Sequence, residues 1–320
     1  MRATNIDYLR VSVTDQCNLR CLYCNPLGHA HLVEDQGILS TDEIPRVVRL
    51  CTQCGIRRVR LTGGEPLLRD DIVDLVQRLA GISGVEDLSM TTNGVLLGSM
   101  AAQLKEAGLR RVNVSLDAMD RECYRRIAGA DVLGRVIEGL HKALETGLTP
   151  VRVNCVVIRD VNLSQVEALA EMSLRLPVAV RFIEYVPTTR LTGPASCYVP
   201  NGEVRAAIES RFGPLSNLVV PDSGGPAVYF KIENALGAIG FISGRSSVFC
   251  RRCTRLRLSR DGKLKPCLYA ARCYDVKRLL QAGANDEAVL RLLRKALREK
   301  SQHTKLNAAA GDFLMQQIGG

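Results

Sequence analysis

The sequence has no tryptophan, six phenylalanines, eight tyrosines and four histidines in 320 residues. At 4% aromatics it offers few platforms on which single-stranded nucleic acid bases could stack. None of the histidines shows the spacing of a metal site. No apolar run approaches the roughly 20 residues that span a bilayer. The opening MRATNIDYLR lacks the apolar stretch of a secretory signal. The expectation is a cytoplasmic protein without a membrane partner. Internal repeats are limited to an alternation of β and α segments, and low-complexity tracts are missing.

What the chain does have is positive charge and cysteine. A net charge of +10 calls for an anionic partner, either a nucleic acid or a polyphosphate. The scarcity of aromatics turns that choice toward a charged small molecule and away from nucleic acid. Hydrophobic content of 46% is ordinary for a globular chain, and 320 residues exceed the usual single core. The reading is a main domain over residues 1–200 and a smaller region over 201–320. Twelve cysteines in a reducing compartment stay as thiols, which makes metal ligation their better use.

Cys17, Cys21 and Cys24 lie in TDQCNLRCLYCN. Three thiolates so close can hold one face of a 4Fe-4S cluster, leaving one iron open, but the spacing also suits half of a zinc site or part of a disulfide network. Cys250, Cys253 and Cys267 form a second group, which Cys273 would complete as a four-cysteine zinc site. Cys51 and Cys54 fall at a helix end far from both groups and read as structural, as do the isolated Cys123, Cys155 and Cys197.

Six β-rich runs alternate with helical stretches between Tyr8 and Tyr185: Tyr8 to Thr14, Arg58 to Thr62, Asp87 to Thr92, Arg111 to Asp117, Val151 to Ile158 and Val178 to Tyr185. The helices expected between them are Thr41 to Cys54, Asp70 to Leu79, Ser99 to Ala107, Leu133 to Glu145 and Leu163 to Leu174, the first opened by a Ser40 and Glu43 capping box. Such a series implies parallel strands with right-handed crossovers. One face of each strand is apolar and the other polar: Leu9, Val11 and Val13 alternate with Arg10 and Ser12, Val59 and Leu61 with Arg60 and Thr62, and Val151 and Val153 with Arg152 and Asn154. Arg10, Arg60, Arg152 and Arg181 on corresponding faces cannot fill a dry barrel core, so they line a chamber that wants an anion. An incomplete six-stranded (β/α) barrel of the TIM type, open at one side, fits count and pattern, with chemistry collected at the C-terminal strand ends. Gly63 and Gly64, at one such end, are expected to let a ligand approach the backbone.

CNLRCLYC and GGEP resemble the two motifs of the radical S-adenosylmethionine enzymes. LRVSVTDQCNLRC, RLTGGEPLLR, TTNG, RVNVSLDA, VRFIEY, CxxCTRxRLSxDGKxxxCL and a terminal Gly-Gly, in unbroken order from Tyr8 to the last residue, resemble the GTP 3′,8-cyclase family. The resemblance implies a 4Fe-4S cluster on Cys17, Cys21 and Cys24 and a second on Cys250, Cys253 and Cys267, with Cys273 spared. It implies S-adenosylmethionine held near Tyr23, Gly64 and Ser115, and Val186 where a Met usually touches this cofactor. GTP would be bound by Arg10, Arg60, Thr91, Arg152, Arg255 and Arg257, with Arg152 standing where the family commonly has Lys. Arg255, Arg257, Gly319 and Gly320 would serve the reaction itself. That reaction is reductive cleavage of S-adenosylmethionine to a 5′-deoxyadenosyl radical, hydrogen abstraction from C3′ of GTP and closure onto C8, the first step of molybdenum cofactor biosynthesis. The implied partners are an electron donor and a downstream pyranopterin synthase, with a homodimer as the assembly. The rivals are a peptide-modifying radical maturase with an auxiliary cluster and a basic zinc protein that binds RNA.

Overall fold

The computed structural model describes residues 6–25, 37–186, 195–220, 225–246, 253–268, 270 and 272–302. Cys250, Gly319 and Gly320 lie outside these residues. Among the described residues no helix is long and apolar enough to cross a membrane.

Six parallel strands follow the expected runs: β1 (Tyr8–Ser12), β2 (Arg58–Thr62), β3 (Asp87–Thr92), β4 (Arg111–Ser115), β5 (Val151–Val157) and β6 (Val178–Glu184). They lie side by side in chain order. The helices between them are α1 (Glu43–Gln53), α2 (Ile72–Ala80), α3 (Leu97–Glu106), α4 (Arg121–Ala128), α5 (Leu133–Glu145) and α6 (Val166–Arg175). The expected capping box is present: Glu43 N–H donates to Ser40 Oγ at 3.1 Å and Ser40 N–H to Glu43 Oε2 at 2.8 Å. Helix α4 is absent from the sequence reading. Its RECYRRIA buries only Tyr124, Ile127 and Ala128, so its apolar stripe is too short to read. Asp120 caps it through the Cys123 amide at 2.8 Å, and Gly129 ends it in the left-handed region at φ 71°.

The region after Tyr185 completes the sheet. It supplies α7 (Asn201–Phe212), β7 (Ser216–Leu218), β8 (Val228–Lys231), β9 (Ala238–Ile242), β10 (Arg255–Leu258), β11 (Lys263–Lys265), β12 (Tyr274–Asp275), α8 (Val276–Gln281) and α9 (Asp286–Gln302). Strand β9 pairs parallel with β6 at one side, and β10 pairs parallel with β1 at the other. The six-stranded expectation is thus extended at both sides by the C-terminal part of the chain.

The core lies between the helices and one face of the strands. Leu9, Val11, Val59, Leu61, Val112, Val114, Val151, Val153, Val180 and Phe182 have essentially no exposure. The opposite face carries Arg10, Arg60, Arg152, Arg181 and Arg257, each under a tenth exposed. A flat sheet would leave that face in water, so the sheet curls around it. Arg181 Nη2, on β6, reaches past β5 to Asn113 Oδ1 on β4 at 2.9 Å, linking three strands across the inner face.

Candidate active site

Cys17, Cys21 and Cys24 follow the C-terminal end of β1, whereas Cys253 precedes β10, at the opposite end of the parallel β1–β10 pair. Gly64 N–H donates to Thr14 O at 2.8 Å and Glu65 N–H to Gln16 O at 2.7 Å, so the segment after β2 clamps the approach to Cys17. A Cβ on Gly64 would sit 2.2 Å from Gln16 O, and one on Gly63 would sit 2.5 Å from Thr14 O. These glycines are needed because two backbones touch, a reason different from the ligand approach expected of them. The far side of the loop is pinned by Arg20 N–H to Ala128 O at 2.9 Å and Leu22 N–H to Ile127 O at 3.0 Å, both at the end of α4.

The three thiols share one neighbourhood: burial, and after it Asp117, Cys24 and Cys17, push the Cys21 thiol well above its ordinary value. Among the described residues no three His, Cys, Asp or Glu side chains are drawn together as a closed metal site. Buried thiols with raised values stay protonated until a metal supplies the compensating charge, and sulfur-only donors are what iron-sulfur clusters take. The donor set therefore fits a cluster.

Three carboxylates missed in the sequence organise the strand ends. Glu65, fully buried, accepts from Leu67 N at 3.0 Å, Thr92 Oγ1 at 2.7 Å and Asn93 N at 2.6 Å, tying β2 to β3; burial still pushes its carboxyl up to about 7. Its position directly after Gly-Gly at a strand end was the available signal. Glu184, which ends β6, accepts from the amides of Asn201, Arg245 and Ser246 at 3.1, 2.8 and 3.0 Å. It thereby ties β6 to α7 and to the segment after β9. Asp117 accepts from the Tyr23 hydroxyl at 2.7 Å and Val156 N at 2.8 Å, and burial raises it to about 6.

The Asp117 shift has a measurable consequence. The folded value lies above the unfolded one, so the native chain holds a proton that the unfolded chain has released, and stability falls as pH rises from about 4 to about 6. Asp117→Asn removes that fall. Urea unfolding at about pH 4 and about pH 7 should show the wild type losing on the order of 3 kcal/mol more than the variant between the two.

The chamber holds the arginines in a row. Arg257 on β10, Arg10 on β1 and Arg60 on β2 are paired in register on neighbouring strands, hence about 5 Å apart along the sheet. Among the described residues none of Arg10, Arg60 and Arg181 has a carboxylate at ion-pairing distance. Burial, then the like charge of Arg257, pulls Arg10 well below its ordinary value. Arg60, Arg152, Arg181 and Arg257 are lowered to about 10, in each case first by burial. Thr91 and Ser115 stand on the same face, Thr91 accepting from Asn113 Nδ2 at 3.4 Å. Val186 follows β6, and Gly244 passes so close that a Cβ there would meet Val186 Cγ2 at 3.1 Å.

Toward the other strand end lie residues the sequence reading passed over. Arg58 and Arg60 guanidinium carbons lie 5.5 and 5.3 Å from the Tyr8 ring centre, and Arg111 forms a two-point pair with Asp87. The Tyr8 hydroxyl and Arg10 Nε are buried with no hydrogen-bond partner among the described residues. Arg58 and Arg111 are ion-paired with Asp7 and Asp87, so the charge that a polyanion would offset here is that of Arg60 and Arg10, beside the orphan donors.

The second group is brought to the same chamber. Arg255 is in register with Tyr8 and Arg257 with Arg10, so both point inward as the alternation implied. Cys253 and Cys267 both lie near enough to Arg257 to raise its value. Burial alone would raise the Cys253 thiol, but Arg255 and then Lys300 bring it down to about 6. Cys273 is exposed. An ion pair ties the segment after β10 to the first cysteine loop: Arg260 Nε lies 3.0 Å from Asp15 Oδ2, two residues before Cys17.

Comparison with known proteins agrees with this architecture. The profile of the Radical SAM superfamily matches residues 11–173, and that of Molybdenum Cofactor Synthesis C matches residues 178–306. The GTP 3′,8-cyclase of Pelotomaculum thermopropionicum is 44% identical over 317 residues, covering 98% of each chain. That of Thermodesulfovibrio yellowstonii is 42% identical over 306 residues, covering 94% of this chain and 95% of its own. Among solved structures, Streptococcus suis SuiB bound to S-adenosylmethionine superimposes with a TM-score of 0.64 at 17% identity, over 95% of this chain and 70% of its own. Methylornithine synthase gives 0.51 at 19% identity, over 66% of this chain and 64% of its own. At such identities these neighbours show the fold, a partial barrel open at one side, and the full-length relatives decide the family: the chain belongs to the radical S-adenosylmethionine superfamily and, within it, to the GTP 3′,8-cyclases.

Proposed function

We propose that the protein converts GTP to (8S)-3′,8-cyclo-7,8-dihydroguanosine 5′-triphosphate, the first committed step of molybdenum cofactor biosynthesis. The observation that carries this reading is the buried, register-paired row of Arg257, Arg10 and Arg60, placed between two cysteine groups. A triphosphate of about four negative charges offsets such a row through bidentate guanidinium contacts. A peptide substrate has no use for it, which sets the maturase reading aside together with the full-length relatives.

Cys17, Cys21 and Cys24 hold the first cluster, and Cys253 and Cys267, with Cys250, hold the second. When bound, the first cluster and S-adenosylmethionine supply a 5′-deoxyadenosyl radical. The chain's own residues do the rest by position and field. Gly64 and Ser115 at the ends of β2 and β4 border the cofactor. Tyr23 is oriented by Asp117. Arg10, Arg60, Thr91 and Arg152 hold the phosphates, while Arg255 and Arg257 orient guanine beside the second cluster. Val186 forms an apolar edge at the end of β6, and Gly319 and Gly320 complete the site from the tail. An external donor supplies two electrons per turnover, one to cleave S-adenosylmethionine and one that, with a proton, reduces the cyclised substrate radical, and the product goes to a pyranopterin synthase in the cytoplasm.

Anaerobic reconstitution tests the whole reading. The protein should bind about eight irons and no zinc. With GTP deuterated at C3′ it should form one deuterated 5′-deoxyadenosine for each product molecule, the product being an isomer of GTP separable by chromatography. Tetrahedral zinc in either group, or deoxyadenosine without deuterium, would reject it.

A further inference from the structure

We propose that Lys300 is a positioning residue of the second metal centre: its ammonium hydrogen-bonds the sulfur of Cys253 and raises the reduction potential of the cluster that this sulfur binds. The inference rests on the reading of Cys250, Cys253 and Cys267 as ligands of a second cluster.

Lys300 lies in the last turn of α9, with its Nζ 3.3 Å from Cys253 Sγ. It is 6% exposed, and Cys253 is its partner among the described residues, with no carboxylate in reach. A buried ammonium without a counter-charge is costly, and a neutral thiol does not offset it. A metal-bound thiolate does. The arrangement therefore fits a sulfur that carries negative charge in the working protein.

The lysine is held where it is by its helix. At the start of α9, Asp286 takes Arg46 Nε at 2.9 Å and Arg49 Nη2 at 2.8 Å from α1. Beside Lys300, Glu299 accepts from the Tyr274 hydroxyl and lies 3.7 Å from Arg272. With both ends anchored, the ammonium has a fixed place against the sulfur. Hydrogen bonds to cluster sulfurs and nearby positive charge favour the reduced, more negative state, which is one of the levers that set cluster potentials. The same charge offsets the negative field of a thiolate-bound cluster beside which an anionic nucleotide has to bind.

The test is an anaerobic potentiometric titration of the full-length reconstituted protein followed by EPR, with the first cluster's signal identified by its change on adding S-adenosylmethionine. In Lys300→Met the second cluster's midpoint should move to more negative potential. At a fixed potential its reduced-to-oxidised ratio should fall about tenfold, which is about 59 mV for a one-electron couple. The first cluster's midpoint should stay in place, and Lys300→Arg should recover most of the shift. An unchanged second midpoint with iron content kept overturns the proposal, and so does an equal shift of both clusters. If Lys300→Met loses iron, Lys300→Ala, which removes both the donor and the charge, is titrated instead, and a wild-type midpoint there overturns the proposal as well. A wild-type protein holding only about four irons would refute the second-cluster reading itself, and this inference with it.

Discussion

Replacing Cys17 with alanine abolishes S-adenosylmethionine cleavage while leaving GTP bound. A cluster that already has one iron without a protein ligand does not survive the loss of a second, since the remaining thiols hold it at only two corners. Iron should fall from about eight to about four per chain, and 5′-deoxyadenosine should drop below detection. Cys267→Ala should do the opposite. It stays competent to cleave the cofactor but loses cyclisation, because Cys267 lies with Cys253 beside Arg257, on the substrate's side of the chamber. Chromatography of deoxyadenosine and cyclised product from both variants separates the two roles. Normal cyclisation by Cys267→Ala, or cleavage by Cys17→Ala, would mean that the two groups have been given the wrong tasks.

Arg10→Met should weaken GTP binding and yet stabilise the protein without GTP. Arg10 stands between Arg257 and Arg60 with its Nε lacking a partner among the described residues, so in the free chain it contributes repulsion and lost hydration. Removing it relieves that cost by about 1–2 kcal/mol, the usual sign of a site built for its ligand at the expense of the fold. With the nucleotide present the same guanidinium makes a charge-assisted contact of about 1.5–3 kcal/mol, so the dissociation constant should rise by about 10- to 100-fold. Urea unfolding without GTP and calorimetric titration with it read the two effects. A variant that is less stable when free, or that binds GTP as the wild type does, would remove the arginine row from the binding site.

Much of this architecture was legible before any coordinates. The alternation of Leu9, Val11 and Val13 with Arg10 and Ser12 fixed which face met the helices, because side chains on a strand alternate and water rejects one set. The positive-φ glycines Gly55, Gly108 and Gly147 follow helices, where a left-handed residue closes the last turn. The residues that escaped notice are those whose meaning depends on a distant partner. Asp15 and Arg260 read as two surface charges until the sheet places them 3.0 Å apart. Lys300 carries no signal in the local sequence, and its role depends on the contact of its tip with Cys253. Arg111 looked like a strand end, and Glu65 like punctuation after two glycines.

Local order along the chain was enough to determine the cysteine groups, the strand series with all its intervening helices but α4, the inward arginines and the resemblance they carry, because each depends on neighbours a few residues away. Tertiary structure alone decided that the C-terminal strands flank β1 and β6. It also decided that Gly63 and Gly64 serve backbone packing, and that single carboxylates and one lysine secure the cysteine segments. Those outcomes rest on contacts between residues tens to hundreds of positions apart, which no periodicity records, since burial and pairing are set only when the sheet curls.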